Sequence, residues 1–158
     1  MKQKWDRTEE RFFGIGIYQP KTEHNIGTLW RSAFILGAQF IFIVDGKYNG
    51  QTSDTMKTWS KIPFYRYDDF DHLYKSLPYS TQLVGIEMNE NSTPITTFVH
   101  PHRAVYLLGA ENNGMPEKVI SRCHHLISLP GETSLNVSVC GSIVMYDRLS
   151  KTELIPKA

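Results

Sequence analysis

Two polar clusters stand where chemistry is easiest to build. Leu107-Leu-Gly-Ala-Glu-Asn-Asn-Gly-Met-Pro116 sets one carboxylate, Glu111, and two amides, Asn112 and Asn113, between two glycines. Gly109 and Gly114 allow close backbone approach or positive φ, and Pro116 suits the first turn of a short helix. Ser134-Leu-Asn-Val-Ser138 puts a hydroxyl, an apolar residue and an amide at the start of a final helix. Such turns, at the carboxyl ends of strands, are where open α/β sheets bind small ligands. Taken singly, each cluster also reads as an ordinary capped turn. A third cluster, Asn25-Ile-Gly-Thr-Leu-Trp-Arg31, adds an amide and a guanidinium. Asn25 suits a helix N-cap. Arg31 falls about 140° round that helix from Ile26, off the centre of its apolar stripe. A lone arginine there is by itself ordinary solvated surface.

The elements that must position these clusters alternate along the chain. Apolar runs predict strands at 12–18, 40–44, 62–67, 82–86, 104–108 and 125–129. Helical spacing predicts a helix from Asn25 to Gly37, short helices at 53–59, 68–77 and 116–121, a turn at 94–98, and a final helix at 136–150. Val137, Cys140, Gly141 and Val144 share one face of that last helix. This alternation predicts an α/β fold with a mainly parallel sheet flanked by helices. Gly14-Ile-Gly16 is a fragment of a dinucleotide fingerprint that lacks its third glycine, and it reads better as close packing of strand on helix.

The chain has 158 residues, 41% hydrophobic and 21% charged, with net charge +1. This suits one domain of ordinary globular composition. A basic face for a polyanion would have to come from local clustering or from pairing two subunits. Lys47, Lys57, Lys61 and Arg66 form one candidate cluster, and Lys2, Lys4, Arg7 and Arg11 another. Trp59, Tyr65 and Tyr67 are candidates for stacking on unpaired bases. Cys123 and Cys140 lie in no metal or redox spacing, which predicts reduced thiols and a cytoplasmic protein. Residues 1–11 have no apolar core and predict a loose arm, not a signal peptide. No apolar run has the length of a membrane span. No metal is expected.

The three clusters, in this order, resemble the SpoU/TrmH family of RNA ribose 2′-O-methyltransferases, in the SPOUT superfamily. The family patterns are N-x-G-x-x-x-R, F/L-G-x-E-x-x-G and S-L-N-V-S-x-A with an apolar-rich helix. The resemblance covers roughly residues 12–150 and implies one methyltransferase domain there, with an arm at 1–11 and a tail at 151–158. It implies a C-terminal trefoil knot, a homodimer and S-adenosylmethionine as cofactor. It implies that Ile86, Leu108, Gly109, Leu129 and Ser134 line the cofactor slot and that Arg31, Asn25, Glu111 and Asn136 serve the reaction. Arg31 would hold the target phosphate in a fork and orient the hydroxyl. Asn25 would cap its helix and hold the loop carrying the target nucleotide. Glu111 would pair with Arg31 or with backbone amides. Asn136 would bond near the substrate or fix the cofactor loop. RNA is the implied substrate, tRNA ahead of rRNA. Cys140 stands where the family often has alanine, and Asp147 where it often has glutamate. Two other readings remain at this point: an RNA-binding protein on the same scaffold without activity, and a nucleotide-binding Rossmann enzyme with Asp45 near the ribose position.

Overall fold

The computed structural model describes residues 11–48, 61–109, 114–131 and 135–152. Within them the strands are β1 (Phe12–Tyr18), β2 (Phe40–Val44), β3 (Phe64–Tyr67), β4 (Gln82–Ile86), β5 (Thr93–Pro94), β6 (Arg103–Leu108) and β7 (His125–Ser128). They form one sheet in the order β3-β2-β1-β6-β4-β7-β5, and every pairing is parallel. Continuous runs such as Phe40–Val44 are buried at every position, as a strand covered on both faces requires. The expected strands are present, and β5, two residues long, is an addition.

The helices are α1 (Glu23–Ile35), α2 (Phe70–Lys75), α3 (Glu117–Ile120) and α4 (Val137–Thr152). One face of the sheet packs against α1 and α4, where Ile26, Leu29, Trp30, Val137 and Val144 join Ile15, Ile17, Tyr106 and Leu108. The other face packs against α2 and α3, with Phe70, Leu73 and Val119 meeting Phe42, Val105 and Leu107. The predicted helix at 53–59 lies outside the described residues. Residues 95–97 form a single 3-10 turn, where a turn was expected.

Two expectations need correction. Asn25 is not an N-cap: α1 begins two residues earlier, with Thr22 in the cap position and making no side-chain cap bond. Asn25 therefore sits in the first turn, buried, and its side chain is turned to another use. Gly14 and Gly16 do serve close packing, but not against a helix. A Cβ on either would overlap the rings of Phe40 and Phe42 on the neighbouring strand. The glycines make room for those rings.

The last helix also runs further than expected, to Thr152, and its end is fastened to the amino end of β6. Arg148 is 2% exposed. Its guanidinium donates to Pro101 O at 2.6 Å, His102 O at 2.7 Å and the Tyr106 hydroxyl at 3.1 Å. Tyr106 in turn lies 2.6 Å from His100 Nδ1, and His100 Nε2 lies 2.7 Å from Asp147 Oδ2. Since Arg148 occupies the hydroxyl oxygen, the Tyr106 proton points at Nδ1. The imidazole then carries its proton on Nε2 and donates to Asp147. Lys151 closes the end with an ion pair to Asp147 at 2.8 Å and a bond to Phe98 O at 3.0 Å.

Candidate functional site

The carboxyl ends of three neighbouring strands form the floor of the site. In register, Ile86 lies beside Leu108 on one side and Ile127 on the other. Adjacent strands stand about 4.8 Å apart, so these residues make one edge of three chain ends. The turns that leave this edge carry two of the three sequence clusters. Ile86 is 8% exposed and Leu108 is 2% exposed. Leu108 therefore offers its main chain to the edge while its side chain belongs to the core. Gly109 and Leu129 are half-buried and continue the edge. A Cβ on Gly109 would lie 3.2 Å from the Gly114 carbonyl carbon and 3.2 Å from Met115 Cγ. The turn closes tightly on itself there.

The first and third clusters meet through two amides. Asn136 sits just before α4, and its Oδ1 accepts from Ser138 N at 2.9 Å, the Ser138 hydroxyl at 2.6 Å and Val139 N at 3.3 Å. This is an N-cap built by side chain and backbone together. With Oδ1 fully engaged, the amide orientation is fixed, and Nδ2 donates to Asn25 Oδ1 at 3.0 Å. Residues 111 positions apart are joined where α1 and α4 begin. Asn25 and Asn136 are thus brought together as a linked pair. Further along, Ser142 Oγ bonds Ser32 Oγ at 3.0 Å, so the two helices are tied twice.

Arg31 is not brought into this pair. It is exposed, and it lies six residues beyond Asn25 on α1, which is roughly 9 Å along the axis and 120° round it. Glu111 and Ser134 lie outside the described residues, as do Asn112, Asn113, Lys57, Trp59, Lys2, Lys4 and Arg7. Of the remaining cationic candidates, Lys47, Lys61 and Arg66 are exposed. Lys61 lies over the Phe34 ring and Arg66 over Phe64, so both cover aromatic surface as well as carrying charge. Tyr65 is exposed, whereas Tyr67 is half-buried and packs against Phe42.

The sequence reading weighed Asp45 only as a ribose partner, and its bond to Gln19 and the role of Glu87 are two features of this edge that it did not show. Gln19 and Asp45 follow β1 and β2, and both adopt positive φ, 48° and 52°. Gln19 Nε2 donates to Asp45 Oδ2 at 2.7 Å. Burial, and then the Asp45 charge, raise the neighbouring Tyr18 phenol above its ordinary range. The second feature is Glu87, directly after Ile86, whose carboxylate reaches the turn after β6. Acidic residues at strand ends were the available signal for both. Among the described residues, no group of three or more His, Cys, Asp or Glu could hold a metal. No described helix is long and apolar enough to cross a membrane.

Residues 13–146 match the SpoU rRNA Methylase family, and the chain belongs to it. It is 22% identical, over 78% of its length, to a tRNA (guanosine(18)-2′-O)-methyltransferase of Mus musculus, of which it spans 8%. Its fold is similar to that of an AdoMet-bound rRNA methyltransferase from Sinorhizobium meliloti, with TM-score 0.79 and 23% identity over 92% of this chain and 58% of that one. It is also similar, with TM-score 0.76 and 21% identity, to a structure described as giving insight into 2-OH methylation of C/U34 on tRNA. There the match covers 89% of this chain and 96% of the other.

Proposed function

We propose that this chain transfers a methyl group from S-adenosylmethionine to a ribose 2′-hydroxyl of RNA, and that the RNA is a tRNA. The observation that carries the reading is the Asn25–Asn136 bond. It joins the first and third family motifs, and β1, which leads into α1, is paired with β6, which leads into the second. Family membership supports the reaction class. The tRNA reading is supported by a structural neighbour, matched over 96% of its own length, whose structure is described as bearing on 2-OH methylation of tRNA.

The residues present fit the cofactor. Ile86 and Leu129 are apolar at a strand-end edge, Gly109 lets the turn close on Gly114 and Met115, and neighbouring backbone groups suit an adenine edge. S-adenosylmethionine would supply a methyl group on a cationic sulfur. The chain's own work is positioning, which is worth ~7–11 kcal/mol in favourable cases. Asn136 holds the start of α4, and through Asn25 the start of α1, in fixed relation to that slot. Arg31 binds the target phosphate in a fork and orients the hydroxyl, while the phosphate or a nearby group takes the proton. Glu111 steadies Arg31 or backbone amides, and Ser134 completes the slot.

We further propose a homodimer and the family's trefoil knot. The knot is supported by the path of the chain, which runs from β6 past β4 to β7 and then returns through α4 to α1. The dimer is supported by the exposed apolar residues Val139, Ile143 and Tyr146 on α4. The experiment is methyl transfer from labelled S-adenosylmethionine into total tRNA and, separately, rRNA, followed by nuclease digestion. The expected result is label in a 2′-O-methylated tRNA nucleoside, lost in Arg31→Ala. Label only in rRNA moves the substrate. No label together with no cofactor binding leaves the inactive RNA-binding scaffold as the better account.

A further inference from the structure

The carboxyl end of β4 does more than supply an apolar residue to the slot. Glu87 follows Ile86, and its main chain is fixed on both sides. Its N–H donates to Ile127 O at 3.0 Å, and its carbonyl accepts the Ser92 hydroxyl at 2.7 Å. From this fixed point the side chain crosses to the turn after β6. Glu87 Oε2 accepts the Met115 N–H at 2.9 Å. Gly114, at φ +62°, is the residue before it, and a Cβ there would lie 2.7 Å from Glu87 Oε1. The carboxylate fills the space that a side chain at 114 would need. Met115 is itself buried, and a Cβ on Gly85 would lie 3.2 Å from its Cε. The end of the turn is therefore held twice, by the Met115 N–H bond to the Glu87 carboxylate and by packing of the Met115 side chain over Gly85.

We infer that Glu87 is a positioning residue for cofactor binding: by clamping the Met115 N–H it fixes Met115 and Gly114, which lie against Gly109, and so sets the Gly109 main chain at the strand-end edge. The inference rests on the cofactor reading above. A bond from N–H to a carboxylate is roughly twice as strong as a neutral one. The contact is thus strong enough to hold Gly114 at φ +62°, one of several conformations open to glycine.

The test uses the full chain, with Glu87→Gln and Glu87→Ala. The first readout needs no cofactor: amide hydrogen exchange across residues 107–119. Glu87→Ala is expected to speed exchange there by about tenfold, while Glu87→Gln, which keeps an oxygen acceptor, speeds it less. The second readout is the S-adenosylmethionine dissociation constant by calorimetry. Alanine is expected to weaken it by about tenfold and glutamine by about threefold. Alanine with wild-type exchange and affinity overturns the inference. So does glutamine that keeps the turn protected yet binds as weakly as alanine, because the charge would then touch the cofactor directly. If the wild-type chain does not bind S-adenosylmethionine, the cofactor reading fails, and the exchange arm alone still decides the clamp. Should Glu87→Ala not fold, Gly114→Ala crowds the same carboxylate from the other side. Faster exchange at Met115 with weaker cofactor binding supports the inference, and wild-type values overturn it.

Discussion

Asn136 performs two tasks with the two ends of one amide, and the tasks can be separated. Its oxygen caps α4 and its nitrogen holds Asn25. Asn136→Asp keeps the cap, and a carboxylate suits a helix N-terminus at least as well. It loses the donor and sets an anionic oxygen against Asn25 Oδ1. Asn136→Ala loses both. Thermal unfolding is expected to show Asn136→Asp close to wild type and Asn136→Ala lower by about 1 kcal/mol. Methyl transfer is expected to fall in both. If the aspartate variant keeps full transfer, the Asn25 bond is only a structural tie. Both residues were legible in the sequence as candidates, since each belongs to a motif. The bond between them was not, because no local pattern shows that two residues at opposite ends of the chain converge. Reading Asn25 as an N-cap had the chemistry of the residue right and its partner wrong.

At the scale of elements, the end of α4 is a buried polar lock that titrates. The His100 side chain is fully buried. Burial lowers its pKa from the ordinary 6.5, against a smaller opposing pull from Asp147. Burial pushes the Tyr106 phenol up to about 12, so it stays a neutral donor. Because the folded pKa of His100 is depressed, the unfolded chain takes up a proton first as pH falls. The stability contribution is whole above 6.5 and is lost as pH drops from there toward the folded value, at no more than about 1.4 kcal/mol per pH unit. His125 is shifted the same way, by burial and by His124. A melting-temperature series from pH 7 to 5 is expected to slope less steeply in His100→Gln than in wild type, and equal slopes would remove His100 from the account. Arg148→Met leaves the Pro101 and His102 carbonyls without this donor and is expected to cost about 2–3 kcal/mol in chemical denaturation. The strands themselves were legible because buried parallel strands are continuous apolar runs. β5 was not, since Thr93 and Pro94 carry no such pattern. The lock was not either, because His100 and Asp147 stand 47 residues apart and no local pattern pairs them. Asp147 serves this lock at the amino end of β6, away from the carboxyl edge that carries the candidate site.

For the whole molecule the open question is what covers α4. Leu135, Val139 and Ile143 recur every fourth residue, Tyr146 follows, and they are 43%, 46%, 38% and 57% exposed. Ile35 at the end of α1 is 59% exposed. Between the two helices lies a groove of about 420 Å³ lined by Thr28, Leu36, Ser138, Val139, Ser142, Ile143 and Tyr146. A contiguous apolar stripe on two tied helices is the kind of surface that a second subunit covers. Two-fold pairing through it has a consequence for the chemistry. Arg31 lies on α1 three residues from Thr28, which lines the groove. We propose that a partner across this face sets residues of its own beside Arg31, which stands roughly 9 Å along α1 from Asn25. Net charge +1 points the same way, since pairing doubles whatever basic surface one chain has. Ile143→Asp puts a charge in the middle of the stripe without touching the core. Light scattering is expected to show twice the monomer mass for wild type and the monomer mass for Ile143→Asp, with an unchanged circular dichroism spectrum. Methyl transfer is expected to fall at least tenfold in the monomer, the loss that removing one charge-assisted contact to the reacting group would bring. A monomeric variant with full activity would show that Arg31 serves the site of its own chain, and the face on α4 would then need another role.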